Sequence, residues 1–115
     1  MILPPYVIVG PYKYRIIDMS AEDFDEEEGG CNHNNLVIKV YTQNRAPEFV
    51  LDTLWHEISH AVNHVADVND ETKEEDQVTR TTPVWLQVIR DNHGLWNVLD
   101  HYRRSAMDDL PIKQE

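Results

Sequence analysis

The segment from Pro47 to about Asp67 constrains the chain most, because its apolar residues recur at intervals of three and four. Val50, Leu51, Leu54, Trp55, Ile58, Ala61, Val62 and Val65 predict an amphipathic helix, with Pro47 suited to its first position. Within it lies His56-Glu57-Ile58-Ser59-His60, a match to H-E-x-x-H. Two histidines four apart on a helix stand about 6 Å apart along the axis and about 40° apart around it. Both imidazoles can therefore reach one zinc ion at about 2.0–2.1 Å. With Ile58 at the centre of the apolar stripe and about 100° per residue, His56 and His60 fall near 160° on either side. They are thus expected to face away from the core. Glu57 beside them is placed to take a proton from a metal-bound water without ligating the metal. His64 continues the series, but it sits about 12 Å along the axis from His56. It reads as a surface residue or a support for the site, not as a third ligand.

A catalytic zinc usually takes three protein ligands and a water. Downstream candidates are Glu71, Glu74, Glu75, Asp76, His93 and His101. A second helix is expected from about Glu74 to Asn92, and Glu74 and Glu75 both lie within about 50–60° of a face bearing Val78, Thr82, Trp85 and Ile89. Periodicity does not choose between them. Pro83 allows two arrangements, a new helix capped by Thr82 or one longer helix kinked there. A third, shorter helix is expected over Leu95 to Met107. Upstream, Tyr6-Val7-Ile8-Val9 and Tyr12 to Ile17 read as a hairpin around Gly10-Pro11, and Leu36 to Tyr41 as a further strand. The expected class is α+β in a single domain over residues 1–115, which leaves little room for a second.

Charge narrows the partners. The formal net charge is −11, so a phosphate backbone is repelled, and Arg103-Arg104 is too short a basic patch to compensate. No nucleic-acid partner is expected. Six acidic residues between Glu22 and Glu28, inside the segment from Ser20 to Gly30, read as a solvated loop lacking the ligand spacing of a calcium site. The one cysteine, Cys31, excludes an intramolecular disulfide and is assigned no role. No apolar run approaches the roughly 20 residues of a membrane span, and the start of the chain reads poorly as a signal peptide. A soluble cytoplasmic protein with no membrane partner is expected. Oligomeric state is not legible.

Thr53-Leu54-Trp55-His56-Glu57-Ile58-Ser59-His60-Ala61, with Glu75-Asp76-Gln77-Val78-Thr79-Arg80 and Leu86-Gln87-Val88-Ile89-Arg90-Asp91-Asn92, resembles small zincin-type metallopeptidases common in bacteriophage and prophage genomes. Gly30-Cys31-Asn32 resembles their upstream region, and the likeness runs from about Tyr12 to Asn92. The resemblance implies a minimal zincin-like domain: a small twisted sheet on the motif helix, a second helix bearing a ligand and a short C-terminal helix. It implies a zinc cofactor held by His56, His60 and, by position, Glu75, with Glu57 as general base. A peptide or protein would be the substrate, in the cytoplasm of a bacterial host. It also implies that Val37 to Tyr41 is the edge strand that pairs with substrate. Thr81-Thr82-Pro83 departs from the family pattern, where a small-residue stretch is usual. Tyr41, His93, His101 and Tyr102 are unranked candidates for stabilising the oxyanion. The rival expectation is a non-catalytic accessory or structural protein whose zinc staples a small core.

Overall fold

The hairpin forms as the β-branched and aromatic runs predict. In the computed structural model, which describes residues 2–19 and 29–108, β1 (Tyr6–Val9) pairs antiparallel with β2 (Tyr12–Met19). Val9 lies opposite Tyr12, so Gly10 and Pro11 alone make the turn. Gly10 has φ +58°, and a Cβ there would stand 2.7 Å from Val65 Cγ1, so glycine is required on both counts. The acidic stretch Glu22 to Glu28 lies outside the described residues.

β3 (Gly29–Asn32) and β4 (Val37–Tyr41) complete a mixed sheet of order β1-β2-β4-β3. β4 runs parallel to β2 and antiparallel to β3. It is therefore interior, which corrects the expectation that Val37 to Tyr41 forms the edge; among the described residues, β3 is the edge on that side. Between them, Asn32 Oδ1 accepts from the backbone N–H groups of Asn34 (2.9 Å) and Asn35 (3.0 Å), closing a tight turn.

Val7, Val9, Tyr14, Ile16, Ile38 and Val40 alternate onto one face of the sheet and are buried against α1 (Pro47–Val65). That helix buries Val50, Leu54, Ile58, Ala61 and Val62, the stripe read from the sequence. Burying each of the larger ones contributes roughly 1.5–3 kcal/mol. Asp67, at φ +56°, ends it in the left-handed conformation, with Val68 N–H donating back to the Asn63 carbonyl at 2.9 Å.

α2 (Glu74–Asp91) is one helix with Pro83 inside it, and α3 (His93–Asp108) follows directly. The inward side of α2 differs from the sequence expectation. Val84 and Trp85 are half-buried and Val88 fully buried, whereas Val78 and Ile89 are 55% and 39% exposed. Trp85 stacks on Trp55 of α1, ring centroids 5.9 Å apart.

The inward side of α2 is partly committed to amides. Asn92, 3% exposed, accepts from Ile8 N–H (2.7 Å) and donates to the Ile8 carbonyl (2.8 Å). Gln87 accepts from Gly10 N–H (2.6 Å) and donates to the same Ile8 carbonyl (3.0 Å). Side-chain amides thus take the place of a neighbouring strand along β1.

Candidate metal centre

Because the apolar stripe of α1 faces the sheet, His56 and His60 emerge on its exposed side, one turn apart. Their Nε2 atoms are 3.2 Å apart and their ring planes meet at 84°. Two nitrogens about 2.05 Å from one tetrahedral ion would be separated by about 3.3–3.4 Å. Crossed planes let both in-plane lone pairs converge on a common point. The pair fits zinc with little adjustment.

Glu57 behaves differently from its neighbours. It is 5% exposed, and its carboxylate shares a 4.8 Å cluster with the two imidazoles. Its Oε1 lies 4.0 Å from His60 Nε2. Burial comes from β3, which crosses close above it. A Cβ on Gly29 would stand 3.3 Å from Glu57 Cγ and 2.7 Å from Thr53 Cγ2. Arg45 ties this corner together: it donates to the Tyr41 carbonyl (2.7 Å), the Phe49 carbonyl (3.1 Å) and Thr53 Oγ1 (2.9 Å). It thereby joins the end of β4 to the first turns of α1.

Downstream of Gly29 the strand runs along α1 toward its C-terminal half. His33, just past β3, stacks on His64 with centroids 4.1 Å apart and planes within 9°. The buried Tyr14 hydroxyl is 3.0 Å from His33 Nδ1. Two nearly parallel rings at that separation cannot both hold one ion in their planes, so this pair is a packing contact and not a second ligand set. It places His64 in support of the turn after β3. Burial, then His64, then His60, lower the His33 pKa. A cavity of about 390 Å³ opens here between His33, His60, Asn63, His64, Asn69 and Gln77. Cys31 Sγ lies 3.8 Å from His33 Nδ1. Burial, and secondarily the charge of Glu57, push its thiol up to about 11, so at neutral pH it is a protonated bystander.

Glu75 stands exposed in the first turn of α2 and is not among the converging donors. Taking the buried direction from Val84 and Val88, at about 100° per residue, Glu75 points about 160° away and Glu74 about 60° away. His93, His101 and Tyr102 belong to α3, which lies against α2, β1 and α1, and among the described residues neither His93 nor His101 is one of the converging donors. Tyr41 is half-buried at the end of β4.

Sequence reading passed over Gly29, His33 and Arg45. A paired Gly29-Gly30 ahead of a short strand was the available signal, since glycine in a strand marks a close approach of another group. His33 and Arg45 carry no signal, because turn and loop residues gain meaning only from what the fold brings to them. No protein family, curated protein or solved structure matches the chain.

Proposed function

We propose that this chain is a zinc-dependent peptide hydrolase, with His56 and His60 as metal ligands and Glu57 as general base. The observation that supports it best is the cluster on α1: two exposed imidazoles with convergent nitrogens beside a carboxylate that β3 shields from water. A zinc held by His56 and His60 would supply a water of lowered pKa and a Lewis acid for the scissile carbonyl. Glu57 accepts the proton of the attacking water and returns it to the leaving amine. Its partial burial weakens solvent competition for that proton. Among the described residues, no strand pairs with the outer side of β3, which leaves an edge for substrate beside the cluster. Glu75 is the third ligand on the resemblance, and the phase of α2 makes Glu74 the residue to compare with it.

Metal analysis of protein purified without chelator tests the first step, with one zinc per chain expected and its loss in His56→Ala. On the resemblance, Glu75→Gln should weaken zinc binding more than Glu74→Gln; the reverse order, which the phase of α2 favours, would assign the third ligand to Glu74. Cleavage of a peptide library should be abolished in Glu57→Gln while zinc is retained. Wild-type protein that holds zinc through four of its own ligands and cuts nothing would replace this reading with that of a metal-stapled structural protein.

A further inference from the structure

Among the described residues, the outer face of the sheet, away from α1, carries charge of one sign. Strand alternation and register place Lys13, Arg15 and Lys39 on it, with Ile17 and Val37 between them. Lys13 sits over the Tyr6 ring at 4.3 Å. Among the described residues, neither Arg15 nor Lys39 has an acidic partner. In a chain of net charge −11, this is a local reversal of sign.

The reversal adjoins the available edge. β1's outer side is filled by Gln87 and Asn92, whereas β3 has β4 on one side and, among the described residues, no strand on the other. Gly30 of β3 is the register partner of Lys39, and a Cβ built on Gly30 meets nothing within 4 Å. Asn32, Val37 and Arg15 form the neighbouring row. Together these residues line a recess of about 390 Å³ that opens across β3 from the edge to the two cations.

We infer that this recess selects an extended peptide bearing a carboxylate side chain opposite Gly30, read by Lys39 and Arg15. The inference rests on the hydrolase reading for taking the peptide as a substrate. A strand added to β3 puts every second side chain on the outer face, in line with the row it joins. The residue opposite Gly30 is then two strand spacings, about 9.6 Å, from the Lys39 backbone. Because Gly30 presents no side chain, the long lysine stem can lie across it and meet a carboxylate from the far side. The apolar floor of Ile17 and Val37 lowers the local polarity, which strengthens such a pair. Three cations on one face are too few for a phosphate backbone held by an otherwise acidic chain, so an acidic peptide fits better than a nucleic acid.

Binding tests this without requiring turnover. Full-length protein carrying Glu57→Gln is titrated with fluorescent hexapeptides of alternating Val and Thr that differ only in a central Glu, Gln or Lys. At low salt the Glu peptide should bind about two- to fivefold more tightly than the Gln peptide. Adding Lys39→Met should remove that preference, and Lys39→Glu should transfer it to the Lys peptide. Circular dichroism confirms that each variant is folded, and the methionine variant keeps the test valid if charge reversal unfolds the chain. Equal binding of the Glu and Gln peptides, a preference that survives Lys39→Met, no binding of any peptide, or displacement by a thymidine oligonucleotide at lower concentration than by the unlabelled Glu peptide would each overturn the inference. Acidic preference without cleavage by the wild type keeps the recess and removes the hydrolase reading; cleavage without that preference does the reverse.

Discussion

Replacing Gly29 by alanine tests how tightly β3 is held over the motif helix. The added methyl would lie 2.7 Å from Thr53 Cγ2 and 2.8 Å from the Lys39 carbonyl oxygen. The first neighbour is a side chain, but the second is backbone of the adjoining strand and cannot turn aside. Relief therefore requires β3 to lift from both α1 and β4. Overpacking of this kind costs about 1–3 kcal/mol. For a domain of this size each kcal/mol lowers Tm by about 4 °C, so Gly29→Ala should melt about 4–12 °C below wild type. Urea denaturation and calorimetry give the two readings. Adding Thr53→Ser removes one of the two clashing atoms while keeping the hydroxyl that accepts from Arg45, so it should recover part of the loss. The helix carrying His56 and His60 is not displaced, so zinc affinity should stay within about twofold while cleavage falls with the shielding of Glu57. Stability within about 0.3 kcal/mol of wild type, or no coupling between the two substitutions, would refute the close approach of β3 to Thr53.

Asn92→Ala removes three hydrogen bonds, to the Ile8 N–H, the Ile8 carbonyl and the Val88 carbonyl, and strands the Ile8 N–H. The expected loss is about 2–3 kcal/mol by urea denaturation with zinc affinity unchanged, whereas Asp91→Ala at the exposed neighbouring position should stay within about 0.5 kcal/mol. Cys31, pushed up from 9.0 to about 11, should react with thiol reagents at pH 8 roughly a hundredfold more slowly than in the urea-unfolded chain, and Glu57→Gln should narrow the gap. Tyr14 is likewise pushed up, to about 12, chiefly by burial. Both groups lose their protons in the unfolded chain first. The unfolded state therefore binds fewer protons above about pH 9, and stability should fall from there toward pH 12. A flat unfolding midpoint over that interval would contradict the burial of both groups.

What was legible in the sequence was what repeats. The stripe from Val50 to Val62 predicted α1 and its orientation, and so placed His56 and His60 outside the core. The β-branched runs around Gly10-Pro11 predicted the first hairpin. What was not legible depended on partners distant in the chain. Val78 and Ile89 of α2 mimic a buried face, but that helix directs Gln87 and Asn92 toward β1, and polar residues at inward positions do not register as periodicity. Gly29-Gly30-Cys31-Asn32 has no apolar alternation, so β3 was invisible as a strand. The edge role of Val37 to Tyr41 came from the resemblance, and without β3 the burial of Glu57 could not be read. Glu75 was selected by resemblance alone, and the actual rotation of α2 could not be read from residues whose exposed positions are as apolar as their buried ones.

The amides of Gln87 and Asn92 also bear on how copies of this chain can associate. A sheet with two bare edges can add a neighbour on each side, and growth then has no natural end. Here one edge is already occupied from within the same chain, and among the described residues only β3 keeps a bare edge, so strand pairing between copies can join β3 to β3 and proceeds no further. Pairing of that kind closes at two copies. It also uses the same row of backbone groups that an extended peptide would use, so crowding of the protein would act as a competitive brake on its own peptide binding, relieved by dilution.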